Sequence, residues 1–255
     1  MEQAVILAVV LGACGLAFLG LFWPGARQGR RLLARWGIAA PEEQEVGHAV
    51  TYLRSQRVWY PWLFAAFGLL FTLWPGPSAP GAGGVAVAAV LCGALIAEIF
   101  AQRPTRGPRR VAVLAPRGVR SLVPAWALVL LGAAALALAV VGAGSLAGTG
   151  WAQTLLPRAS APTALAAGGV TVVLVAGVLV LAARRPPVAE PRLDEVLRIR
   201  SARVATGLGI AVLAVLTSSP TVWSLPAFLV TVAGLVAWRA VAAGPDSPTP
   251  RPVST

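Results

Sequence analysis

The chain has 255 residues, of which 57% are apolar and only 12% charged, and its formal net charge is +12. The charged share is about half that of a soluble domain, and apolar runs long enough to cross a bilayer recur, so a soluble globular fold is excluded. All 21 basic residues are arginine and sit in short segments between apolar runs, which argues against a nucleic-acid surface. Mean hydropathy is +0.77, consistent with an all-α, polytopic transmembrane helix bundle. The longest polar interval, residues 24–58, is too short to build a core of its own, so one transmembrane domain over 1–241 is expected.

The first apolar run covers residues 4–23. Only Met1, Glu2 and Gln3 precede it, without the basic residues of a signal peptide. Leu11-Gly12-Ala13-Cys14 matches a lipoprotein cleavage box, but apolar residues continue past Cys14 to Phe22, and an uncleaved first span is the expectation. A basic segment with Arg27, Arg30, Arg31 and Arg35 follows. Pro41 then suits a helix start, and Glu42, Glu43 and Glu45 suit its positive end. Val46, Val50 and Leu53 recur at helical spacing, so residues 41–57 are expected as a short helix on the membrane surface leading into the second span, 59–74.

The third span is expected over 84–101, where Ala89, Gly93 and Ala97 fall four apart and form a small-residue ridge for close helix packing. The fourth covers 122–141 and the fifth 163–183. PRLDEVLRIR, 191–200, reads as helical, with Pro191 at its start and Asp194 four residues before Arg198. It leads into the sixth span, 204–217, which is short by itself. The seventh covers 222–238, and the Pro-, Ser- and Thr-rich tail over 242–255 is expected to be disordered.

Charge placement orients this arrangement. With the segments after spans one, three and five on one side together with the tail, 20 of the 21 arginines fall there and only Arg158 falls opposite. The positive side is cytoplasmic, so the N-terminus is expected outside and the C-terminus inside. The tryptophans gather at span ends, and Trp36, within the basic segment, is an exception.

Few residues offer chemistry. His48 is the only histidine and sits on the charged 41–57 helix, where a solvated role is expected. Cys14 and Cys92 both fall within apolar runs as small hydrophobes, without disulfide or metal spacing. Neither a phosphate-binding loop nor a zinc-protease or serine-hydrolase motif occurs, so no cofactor, metal or enzymatic activity is expected. Glu98 is the one carboxylate within a central apolar run, and an intramembrane charge is a functional candidate by default. Its place near the end of span three also suits an ion pair with an arginine, and both roles stay open. The arginines at 103, 106, 109, 110, 117 and 120, with Arg184 and Arg185, are candidates for contact with anionic lipid or a protein partner.

The segments YLRSQRVWYPWLF (52–64), AEIFAQRP with VAVLAPR downstream (97–117) and LDEVLRIRSAR (193–203) resemble an actinobacterial family of multi-span integral membrane proteins of unknown function. The resemblance implies a multi-pass protein of a bacterial plasma membrane and supplies no catalytic residues. The functional expectation is a non-enzymatic accessory or scaffold subunit with an arginine-rich cytoplasmic face. The alternative is a small-solute transporter or permease that uses Glu98.

Overall fold

The computed structural model of the chain describes residues 13, 20, 23–36, 38, 40–73, 93–96, 118–184, 191–218 and 224–243, the side chains of 56, 59–61, 63–73 and 191–193 excepted. Most of the expected spans at 4–23 and 84–101, and the tail beyond residue 243, lie outside the described residues. So do Glu98, Arg103, Arg106, Arg109, Arg110, Arg117 and Arg185. The described residues form helices and turns, with no strand among them. Eight helices are bounded: α1 Ala26–Arg35, α2 Glu43–Leu73, α3 Val119–Leu122, α4 Ala125–Leu146, α5 Gly150–Leu155, α6 Ala161–Arg184, α7 Pro191–Thr217 and α8 Leu225–Ala242.

Four of these, α4, α6, α7 from Asp194 and α8, are long and apolar enough to cross a membrane. They coincide with the expected spans four to seven, and α7 joins the 191–200 segment to span six in one continuous helix. Residues 41–57 and 59–74, expected as a surface helix and a separate span, also share one helix, α2. It runs unbroken through Pro61, although proline has no N–H to offer the preceding turn.

Local chemistry sets the helix ends. Ahead of α1, the Gly25 N–H donates to Gln28 Oε1 at 2.9 Å, so a residue of the first turn closes back on the cap. At α2 the Glu42 N–H donates to the Glu45 carboxylate at 2.8 Å. Ser224 caps α8 by accepting from the Ala227 N–H at 3.4 Å, with Pro226 in the first turn. Between α4 and α5, Gly148 takes φ +84°, a left-handed turn that side-chain-bearing residues resist. That turn brings Leu156 back under α4, where its carbonyl accepts from the buried Ser145 hydroxyl at 2.7 Å.

α7 is the axis of the bundle. Every residue from Ala205 to Ser218 is buried, whereas α4, α6 and α8 bury only one face each. The small residues of α7 let three neighbours approach closely. Gly207 lies against the backbone of Trp238, where an added Cβ would stand 3.0 Å from the Trp238 carbonyl oxygen. Gly209 abuts Val175 and Leu131, and Gly234 of α8 abuts Ala214. Pairing of 207 with 238 and of 214 with 234 makes α7 and α8 antiparallel. Leu138 against Gly168 and Gly142 against Leu165 do the same for α4 and α6.

The outward faces of the bundle are apolar. Val129, Leu136 and Val140 of α4, Val173 of α6 and Val236 of α8 are all exposed. In water such a surface would be an aggregation liability, whereas hydrocarbon solvates it. The apolar outside and four long apolar helices together are those of a membrane protein.

Candidate functional site

The chemistry-bearing side chains gather at the foot of the bundle, the end where α6 finishes at Arg184 and α8 at Ala242. There α7 extends below its neighbours, from Pro191 to about Ala202. The extension between Asp194 and Ala202 is ~12 Å long at the usual helical rise. Against it lies a helical hairpin made of α1 and the first part of α2. The hairpin closes tightly at Gly29, where an added Cβ would meet Val50 at 2.9 Å and the Val46 carbonyl at 3.2 Å. Leu33, Val46, Ala49 and Val50 form its buried core, and Leu197 of α7 packs into that core. The apolar side of residues 41–57 is thus covered by protein, since Val46, Val50 and Leu53 are all buried.

Two arginines of α7 complete the attachment. Arg200 donates to the Tyr52 hydroxyl at 2.9 Å and its guanidinium lies 5.2 Å from the centre of the Tyr52 ring. Arg203 lies 5.8 Å from the Trp36 ring and donates weakly to the Ala243 carbonyl at 3.5 Å. Contacts at Leu197, Arg200 and Arg203 follow at three-residue spacing and trace a slowly winding stripe along α7. Below them Asp194 and Arg198 pair at 2.6 Å and are both buried. The Nε of Arg203 and the indole Nε1 of Trp238 are buried without a hydrogen-bond partner among the described residues.

A third arginine–aromatic pair sits at the start of the hairpin. Arg54 lies 5.4 Å from the Trp23 ring, and its Nε donates to the Pro24 carbonyl at 3.2 Å. The outer side of α1 presents Arg27, Arg30, Arg31 and Arg35, all exposed. Of the expected contact arginines, Arg120 on α3 and Arg184 at the end of α6 are described, and both are exposed. His48 is exposed, with Nδ1 2.9 Å from the Gln44 carbonyl one turn earlier, in keeping with a solvated role.

Polar groups within the bundle are turned back on their own helices. The hydroxyls of Thr171, Thr206, Thr217 and Ser218 each donate to the carbonyl four residues earlier. Ser218 also shares a hydrogen bond with Thr231 of α8 at 2.7 Å. Among the described residues no group of three or more His, Cys, Asp or Glu side chains converges as a metal site would require.

The hairpin and its attachments were not among the elements expected from the sequence. Tyr52 and Arg200 are 148 residues apart, and nothing local announces their pairing. One signal was present in Trp36, a tryptophan within the basic segment that fits no span end, which the structure places under Arg203. Comparison of the chain with known protein families, curated proteins and solved structures found no match.

Proposed function

We propose that this chain is a multi-pass protein of a bacterial plasma membrane, acting as a non-enzymatic accessory or scaffold subunit through an arginine-rich cytoplasmic face. Its full arrangement on this reading has seven spans, with the N-terminus outside and the foot of the bundle in the cytoplasm. The family of actinobacterial multi-span proteins that the sequence resembles fits the same placement.

One observation carries the functional reading: the use to which the described arginines are put. At the foot of the bundle Arg54, Arg200 and Arg203 lie over aromatic rings, and Arg27, Arg30, Arg31, Arg35, Arg120 and Arg184 stand exposed around it, whereas Arg198 pairs with Asp194. Their number and exposure suit anionic headgroups, each worth about 1 kcal/mol near a charged surface, or an acidic protein face. The hydroxyls inside the bundle support the same reading, since those that donate to their own helix have spent their one O–H and leave few donors to line a solute path.

The direct test is affinity purification of the full chain from native membranes. A membrane or soluble protein recovered in fixed stoichiometry is the expected result. The rival reading as a transporter using Glu98 predicts a lone protein with solute flux after reconstitution. Glu98→Gln separates the two, because glutamine keeps the shape of the side chain but cannot change charge. Partner recovery unchanged in Glu98→Gln supports the scaffold, whereas a pH-dependent flux present in the parent and lost in the variant overturns it.

A further inference from the structure

We propose that Arg54 and Trp23 form a binding site for the phosphate of an anionic lipid headgroup, with the lipid's acyl chain lying along α2. The proposal deepens the reading of the arginine-rich face as a lipid contact and rests on it. The recognising chemistry is a phosphate ester oxygen facing a fixed guanidinium.

Three features of the pair support the site. Arg54 is held from two sides, by the 3.2 Å bond from Nε to the Pro24 carbonyl and by a cation–π contact 5.4 Å from the centre of the Trp23 ring. A guanidinium held at Nε keeps its two outer nitrogens as a parallel fork, the geometry that meets two oxygens of one phosphate. The residue itself is exposed, so the fork is open to a ligand. Fixing the side chain beforehand removes part of the entropy that a free arginine loses on binding.

The surroundings favour a lipid over a dissolved anion. Residues 54, 58 and 62 follow one another at four-residue spacing along one side of α2, over ~12 Å of helix. Above the charged Arg54 come Val58, 40% exposed, and Trp62, 66% exposed. Trp23, at 42% exposed, ends the first apolar run next to Pro24, where an interfacial tryptophan belongs. The stripe therefore passes from cation to apolar surface in the order that a phospholipid passes from phosphate to acyl chain. Arg57, one turn beyond Arg54, adds a second positive charge beside it.

The test uses the full-length protein in mild detergent, with lipid binding read by native mass spectrometry. The probes are phosphatidylglycerol, phosphatidylcholine and, as a competitor, glycerol 1-phosphate. The parent should hold one phosphatidylglycerol more tightly than the rest and more tightly than phosphatidylcholine. Arg54→Lys keeps the charge but loses the fork, and should weaken that first site about tenfold, the loss expected for one charge-assisted hydrogen bond. Trp62→Ala should weaken the lipid while leaving competition by glycerol 1-phosphate unchanged. A phosphatidylglycerol with a photoreactive acyl chain, added to the unaltered parent, should label α2 near Val58 and Trp62.

Undiminished first-site binding in a folded Arg54→Lys protein would overturn the site, as would labelling confined to other helices. Equal competition by glycerol 1-phosphate, with no effect of Trp62→Ala, would mean that a free phosphate and not a lipid is bound. If Arg54→Lys has no effect but neutralising the 103–120 arginines abolishes lipid retention, the arginine-rich face stands and this site falls. If the parent shows no preference for phosphatidylglycerol, both fall.

Discussion

Asp194 and Arg198, one turn apart on α7, form a 2.6 Å ion pair with only 2% and 4% of their side chains exposed. Next to them Leu197 enters the apolar core of the α1–α2 hairpin. The same helix becomes the buried axis of the bundle from Ala205 onward. One rigid element thus joins the membrane core to the layer beneath it, and the hairpin is fastened to that element at three points. Such a layer can hold a partner or headgroups in a fixed position relative to the spans.

The buried pair gives the first prediction. Removing one partner leaves a desolvated charge, which costs about 3–5 kcal/mol, whereas replacing both with apolar residues of similar volume is often neutral. Asp194→Ala should therefore lower the thermal unfolding midpoint in detergent sharply. The double replacement Asp194→Leu with Arg198→Met should recover most of the loss. Equal destabilisation by the single and double changes would show that the pair is not the source of the effect.

The second prediction concerns Tyr52 and Arg200. A hydrogen bond to a charged donor is worth about 1.5–3 kcal/mol, and the guanidinium also lies over the ring, so Tyr52→Phe should remove only the first contribution. Arg200→Ala should remove both and loosen the hairpin. Limited proteolysis of the 36–42 connection reports this directly, with cleavage increasing from parent to Tyr52→Phe to Arg200→Ala. Additive effects in the double variant would mean that the two residues are not coupled.

Long apolar runs were legible because a bilayer demands them. The expected runs 122–141, 163–183 and 222–238 correspond to α4, α6 and α8 within a few residues. The 191–200 helix and the short run at 204–217 were readable as one element through Pro191 and the Asp194–Arg198 spacing. Which helix takes the centre was not readable in the same way. All four candidates are apolar, and only the placement of Gly207, Gly209, Ala211 and Ala214 against particular neighbours distinguishes α7. The hairpin was hidden for another reason. Val46 and Val50 give the same periodic signal whether lipid headgroups or Leu33 covers them, and the choice depends on a contact with Leu197 about 150 residues away.

Orientation supplies the third prediction. Reporter fusions after residues 78 and 155 are expected to read as external, and fusions after residues 110 and 190 as cytoplasmic, following the 20-to-1 arginine division. The pair at 78 and 110 decides the number of spans, because they flank the apolar run 84–101. Should both report the same side, that run does not cross and the seven-span arrangement is lost.

The fourth prediction separates glycines that carry close helix contacts from those that do not. A Cβ on Gly207 would stand 2.8 Å from Trp238 Cδ1 and 3.0 Å from its carbonyl oxygen. The backbone side of that contact cannot rotate away, so α7 and α8 must move apart. Gly207→Ala should then cost about 1–3 kcal/mol, as overpacking does in a well-filled core. Gly234→Ala should act similarly, since its neighbour is the Cβ of Ala214 on the rigid axis. Gly169 and Gly177 of α6 have nothing within 4 Å of the corresponding position. Alanine at either should be tolerated or slightly stabilising, because glycine is the poorer helix former. Separation of α7 and α8 would also shift Ser218 from Thr231 and Arg203 from Ala243, so the damage should reach both ends of the helix pair. Hydrogen exchange along α8 can measure this: Gly207→Ala should raise exchange through residues 231–243, and Gly169→Ala should leave it unchanged. The same exchange in both variants would mean that close approach at Gly207 does not hold α8 in place.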